Sequence, residues 1–406
     1  MGSGPAAALT TARDLLRSHP LVDGHNDLAW RIREGSGLDL RRLDLAAPVA
    51  GTHTDLPRLR RGGVGGQFWS VYVPGTLRGD AAVATTLEQL DLVHRMVCCH
   101  PDDLELALSA EDAEAAFSRG RIASLLGAEG GHSIANSMGV LRMLHRLGVR
   151  YLTLTHNVNV PWADSATDVP AVGGLSAFGR EVVREMHRIG MLVGLSHVAD
   201  TTARDALGIA EAPVVFSHSG ARAVCDHPRN VPDDLLGRLP ANGGVCMVTF
   251  VPDFVSPQCR AWALELRAEV ERRGLDPRDA GVRATVGTEY AADHPRPRAA
   301  LAEVADHIEH VRTVAGIDHV GIGGDYDGAD DVPDGLEDVT CYPALIAELL
   351  DRGWSREDCV RLIGGNVLRA LREAEAVSRS CAALRGPSTA RIEDLDRASA
   401  DTGIRS

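Results

Sequence analysis

The stretch "LVDGHND" at residues 21–27 is a short apolar run that ends in a histidine and an aspartate two positions apart. Alternate residues of a strand share a face, so His25 and Asp27 are placed to grip one ion while Asn26 points the other way. A lone His-x-Asp arises readily by chance, and by itself the run reads equally well as the polar end of a strand. The pattern around it decides. Seven more runs stop in the same manner: "GGQFWSVYV" (65–73), "IASLLGAEG" (122–130), "RYLTLTHN" (150–157), "LVGLSHV" (192–198), "VVFSHSG" (214–220), "GVCMVTF" (244–250) and "HVGIGGDYDG" (319–328). Segments with helical periodicity lie between most of them, among them 88–99, 138–148 and 178–190. Near-continuous apolar strands alternating with helices imply a parallel sheet covered by helices, and eight repeats imply a closed (β/α)8 TIM barrel.

Composition narrows the function. The chain has 406 residues, 44% hydrophobic and 24% charged, which suits one large α/β domain. Its net charge of -14 comes from 56 acidic against 42 basic residues with no basic tract, so nucleic acid is a poor partner. No apolar run approaches the roughly 18 residues of a spanning helix, and neither end reads as a signal or lipid-anchor segment, so the expectation is a cytoplasmic protein with no membrane partner. The eight cysteines include no C-x-x-C pair and read as reduced thiols. Lysine is absent altogether. That excludes Schiff-base and pyridoxal chemistry, Walker-type phosphate loops and metal centres bridged by a carbamoylated lysine.

In a barrel the C-terminal strand ends converge on one mouth. His25, Asp27, Glu129, His156, His197, His218 and Asp325 all stand at such ends. Packing gives strand ends no reason to be so uniformly imidazole and carboxylate. Those ligand types without thiolates suit zinc or a related divalent ion, and a carboxylate that can bridge suits two ions about 3.5–4 Å apart. Glu129 is the natural bridge, standing where other metal-dependent hydrolases place a carbamoylated lysine.

At this point the chain resembles the membrane dipeptidase (renal dipeptidase) family, peptidase family M19, in a soluble bacterial form. The segments that carry the resemblance are "DGHNDL" (23–28), "GAEGGHSI" (127–134), "YLTLTHNVNVPWADS" (151–165), "GLSHV" (194–198), "FSHSGARAVCDHPRNVPDD" (216–234), "GIGGDYDG" (321–328) and "GLEDV" (335–339). The resemblance implies the barrel of metal-dependent hydrolases and two Zn2+ per chain, with His25 and Asp27 on one ion, His197 and His218 on the other, and Glu129 bridging. It implies a dipeptidase acting on small dipeptides, C-terminal D-residues within the expected range. His156 would contact the scissile carbonyl oxygen, Arg229 hold the substrate carboxylate and Asp325 handle protons.

A single domain over 1–406 is expected, with an insertion at 257–300 after the seventh strand and a polar C-terminal tail from about 376. The insertion is longer than in the animal relatives; its first part has helical periodicity and its second is rich in proline and charge. It reads as a flap or an interface element, and a homodimer is compatible with the latter. Gly75 and Val158 stand where animal relatives carry a cysteine pair. Asp327 reads as a turn residue beside Asp325, and His132 as a hydrogen-bonding neighbour of the site; Asp164 and Trp162 stay open between pocket lining and loop packing. The alternatives are a binuclear amidohydrolase acting on another small amide or lactam, and a barrel without catalysis.

Overall fold

The computed structural model describes residues 5–396. Among the described residues nine strands form one parallel sheet: β1 Leu21–Asn26, β2 Val64–Tyr72, β3 Leu104–Leu106, β4 Ile122–Glu129, β5 Val149–Thr153, β6 Leu192–Gly194, β7 Val214–Phe216, β8 Val245–Val248 and β9 Val320–Ile322. Eight of them follow the order β1-β2-β4-β5-β6-β7-β8-β9. The additional strand, β3, pairs with the first residues of β4, while β5 pairs with the last. The ring closes beyond the regular ladder, where the Asp27 amide donates to Tyr326 O (2.9 Å) and the Asp325 amide to His25 O (3.2 Å). This is the expected (β/α)8 barrel, sealed by the residues that form its mouth.

The pleat sorts the strand residues into two cores. Trp69, Val71, Leu126, Ala128 and Leu152 face the surrounding helices, in the larger cluster of buried apolar side chains. Phe68, Leu125, Tyr151 and Met247 belong to a second cluster, which fills the barrel below the mouth. Gly127 makes room there, since a Cβ on it would lie 2.0 Å from the Tyr151 ring.

Several elements differ from the sequence reading. The last four strands are only three or four residues long, because the polar residues after them leave the ladder. The insertion is a hairpin of two helices, Pro257–Arg272 and Ala280–Asp293, packed through Leu266, Val270 and Val286. Its second helix is built largely of small residues, so its apolar period is weak. No tail begins near 376: the helix Asn366–Leu384 runs through that point because Ala370, Leu371, Ala374 and Cys381 all turn inward. Residues 397–406 of that expected tail lie outside the described residues. All eight cysteines are free. No helix among the described residues is long and apolar enough to cross a membrane.

Candidate active site

Glu129, the last residue of β4, is the hub of the mouth and is only 3% exposed. Its two oxygens face different histidines. Oε2 lies 3.5 Å from His25 Nε2 and accepts a hydrogen bond from the Ser70 hydroxyl at 3.1 Å. Oε1 lies 3.0 Å from His197 Nε2, 3.4 Å from His218 Nε2 and 3.9 Å from His156 Nε2. Burial opposes a charge on this carboxylate, but His25 and the contacts of His197 and His218 outweigh it and hold it well below the usual carboxylate range.

The far ring nitrogens of His25, His197 and His218 are tethered, so that each Nε2 is aimed inward. His25 Nδ1 pairs with the Tyr151 hydroxyl (2.8 Å), His197 Nδ1 with Asn157 Oδ1 (3.0 Å) and His218 Nδ1 with Ser217 Oγ (2.9 Å). Such outer partners set the ring orientation and tautomer of a ligating imidazole. Burial, then Arg229 and His156, push His197 well below the ordinary imidazole value; burial, then His25, does the same to His218. Neutral rings with inward lone pairs follow, and the Nε2 atoms of His197 and His218 lie 2.9 Å apart.

Asp27 joins His25, with Oδ2 3.2 Å from His25 Nε2. It sits just past β1 at the start of the helix Leu28–Ser36, so strand alternation alone does not account for the pairing. Asn26 does point away, donating to the Thr54 hydroxyl at 2.8 Å. Asp325 Oδ1 lies 3.9 Å from His25 Nε2, and the backbones of Asp325 and His197 take left-handed φ values of 61° and 72°. Left-handed backbone at such residues is strained by about 1–3 kcal/mol and persists where the surroundings impose it. Burial pushes the Asp325 carboxyl well above its usual range, with Asp27 and Glu129 adding to the effect and His25 opposing it. Asp327 turns elsewhere, accepting from the His53 amide at 2.7 Å. Gly328 leaves room for both site aspartates: a Cβ there would fall 2.3 Å from Asp325 Oδ1 and 2.4 Å from Asp27 Oδ2.

The donor set fits a divalent metal pair. Three overlapping groups, His25–Glu129–His218, Glu129–His156–His197 and His25–Asp27–Asp325, each bring ligand atoms within 4.8 Å of one another. Imidazole and carboxylate without thiolate suit zinc. Among the described residues, buried Asp27 Oδ1 has no hydrogen-bond partner, as befits an oxygen directed at a cation. His156 and Asp325 are the groups that open towards solvent, each with a side chain 14% exposed.

Arg229 lies beside this centre on the loop after β7, and is itself only 4% exposed. Burial lowers its guanidinium to about 10, against the pull of Asp325 and Glu129. The neighbouring aspartates do not engage it: Asp233 pairs with His310 and Asp234 with Arg204. Asp164 and Trp162 resolve into loop packing, the first accepting from the amides of Ala171, Val172 and Gly173, the second donating to Asn136. His132 bonds Val73 O at 3.1 Å. Gly75 and Val158 are neighbours at the rim, a Cβ on Gly75 lying 3.8 Å from Val158 Cβ and 3.7 Å from His156 Nδ1. The reading from sequence does not reach Ser70, Tyr151, Asn157 and Ser217, although Asn157 and Ser217 adjoin candidate histidines in the chain.

A family model described as membrane dipeptidase (peptidase family M19) matches residues 9–385. Dipeptidase 3 of Mus musculus is 42% identical over 368 residues, which cover 89% of this chain and 66% of the mouse protein. Dipeptidase 3 of Homo sapiens is 43% identical over 371 residues, 90% of this chain and 67% of the human one. The chain thus spans about two thirds of the length of these relatives. Among solved structures, the probable dipeptidase PvdM from Pseudomonas aeruginosa matches with a TM-score of 0.79 at 26% identity, covering 92% of this chain and 100% of that one. A metallo peptidase from Rhodobacter sphaeroides, solved with a phosphinate mimic of L-Ala-D-Ala, shares the fold with a TM-score of 0.72 at 24% identity, over 88% and 99% of the two chains. A family model that spans nearly all of the barrel, and relatives that match it at 42% and 43% identity, place the chain in the membrane dipeptidase family, peptidase family M19.

Proposed function

We propose that this chain is a binuclear zinc dipeptidase that hydrolyses the peptide bond of small dipeptides, with His25 and Asp27 on one ion, His197 and His218 on the other and Glu129 between them. The observation that carries the reading is the division of Glu129, Oε2 towards His25 and Oε1 towards His197 and His218. When bound, a pair of divalent ions supplies a strong nucleophile at neutral pH, by lowering the pKa of water from 15.7 towards about 7, and Lewis acidity towards the carbonyl.

The chain's own residues do the rest. His156, with Nε2 facing the centre, donates to the scissile carbonyl oxygen as charge builds there; removing such a donor costs roughly 3–4 kcal/mol. Asp325 accepts the proton of the attacking water and returns it to the departing nitrogen, one group acting as base and then as acid. Arg229 offers a planar fork to the free carboxylate, which fixes the reacting bond one residue from the C-terminus. Ser70, Tyr151, Asn157 and Ser217 keep the ligand side chains oriented throughout.

Metal analysis of the wild type and of Glu129→Gln, alongside hydrolysis of a dipeptide library that includes C-terminal D-residues, tests the reading. Two zinc equivalents and dipeptide turnover are expected in the wild type, with one equivalent or fewer in the variant. A single ion in the wild type, or two retained in a fully active variant, overturns the bridging role.

A further inference from the structure

Accepting Arg229 as the grip on the substrate carboxylate, we propose that Phe254 is a positioning residue that holds the Arg229 guanidinium in line with that carboxylate. Arg229 has little else to orient it. Among the described residues it forms no ion pair, its Nε is buried without a hydrogen-bond partner, and its terminal nitrogens reach only Ser219 Oγ at 3.5 Å and His218 O at 3.4 Å. The Phe254 ring supplies what those contacts lack, with the guanidinium carbon 5.4 Å from its centroid. A cation over a ring face at that range is attracted by the ring quadrupole, and the contact leaves every N–H free for a ligand.

The ring itself is firmly set. His227 stacks on it at 4.1 Å with 27° between the planes, and His227 Nδ1 accepts from the Arg229 amide at 3.0 Å, so the two residues of this loop that meet the phenyl group are tied to each other. Phe254 belongs to the short helix Pro252–Val255. Asn230 ties that helix to the Arg229 loop, its amide nitrogen donating to Phe254 O at 2.6 Å and to Cys225 O at 2.8 Å. His307 adds a second tie, joining the Ala221 amide (2.8 Å) to Val255 O (3.1 Å). The arginine is therefore held by its loop at the backbone and by an aromatic plate at its head.

The test compares kcat and KM for a free dipeptide and for its C-terminal amide in the wild type, Phe254→Leu, Phe254→Tyr, Arg229→Met and the double variant Phe254→Leu/Arg229→Met. Phe254→Leu is expected to raise KM for the free acid about 3- to 30-fold, with kcat and amide cleavage within about twofold of wild type. Phe254→Tyr should restore KM, because it keeps the ring. In the Arg229→Met background the leucine change should add nothing, since its effect passes through the arginine. Equal losses on acid and amide, the same loss without Arg229, or no rescue by tyrosine overturns the positioning role. If Arg229→Met leaves the preference for acids over amides intact, the grip itself fails and the role of Phe254 falls with it; if Arg229→Met removes that preference and Phe254→Leu does not weaken it, only the present inference fails.

Discussion

The barrel mouth and the helical hairpin at 257–293 both grow from strand ends, yet they are held in opposite ways. At the mouth, side chains from several strands and their following loops converge on Glu129, and the imidazoles of His25, His197 and His218 are each tethered at the far nitrogen by a different residue. The hairpin has a small core of its own around Leu266, Val270 and Val286. The stretch that follows it is tied back by the surface pairs Arg298–Asp334 and Arg296–Asp331, of a kind worth no more than about 1 kcal/mol each. The mouth is over-determined, so one altered atom there should cost chemistry without loosening the frame. The hairpin is under-connected, so damage there should stay local.

The largest effect belongs to the mouth. Asp325→Asn keeps the size and backbone of the residue but removes its capacity to carry a proton. kcat should fall roughly 10²–10⁴-fold, as for the loss of a general acid-base group, while metal content stays at the wild-type value. Elemental analysis beside steady-state kinetics decides the matter. A kcat within a few-fold of wild type denies Asp325 the shuttle role, and loss of metal makes it a ligand first.

Between the two regions stands His307, fully buried, which accepts from the Ala221 amide and donates to Val255 O. That arrangement requires a neutral ring, and burial depresses its pKa to about 4. The unfolded chain, with an imidazole near 6.5, binds a proton between those values that the folded chain refuses. Its contribution is therefore complete above pH 6.5 and is lost as pH falls towards 4, up to about 3 kcal/mol. His307→Gln can donate and accept without titrating. Its stability should decline less steeply than wild type across that window in denaturant titrations; parallel curves would show that the joint carries no such proton linkage.

These contrasts explain what could be read from the chain. His25, Glu129, His197 and His218 are legible because a polar ligand type breaks an apolar run at a place the barrel turns into a mouth. Asp325 and Asp327 are harder, since two carboxylates two apart on a strand end look equivalent. Backbone φ values of 61° and 66° remove that equivalence by taking both out of strand geometry, which sends Asp327 to His53. Asp27 pairs with His25 from a helix start rather than from the strand. The plate formed by His227 and Phe254 joins two loops distant in sequence and has no period to reveal it. The strand Leu104–Leu106 is too short to show alternation, and the helix Ala280–Asp293 buries too little apolar surface to show a stripe.

The smallest effect belongs to the hairpin and probes the comparison most directly. Val270 is fully buried, but its neighbours are hairpin residues: Leu266 and Val286, with Trp262, Val282 and Tyr290 packed around them. Val270→Ala removes two methyl groups from that cluster, a loss of about 1–2 kcal/mol. If the hairpin opens as its own unit, that cost is felt in the local opening equilibrium alone. Hydrogen exchange should then quicken for amides of 257–293 and not for those of the strands, and kcat/KM for dipeptides should change less than about twofold, because the tie that sets Phe254 runs through Asn230 and His307 rather than through the hairpin core. A global melting temperature lowered by several degrees, or a tenfold fall in kcat/KM, would make the hairpin part of the barrel's cooperative unit and erase the distinction between the two regions.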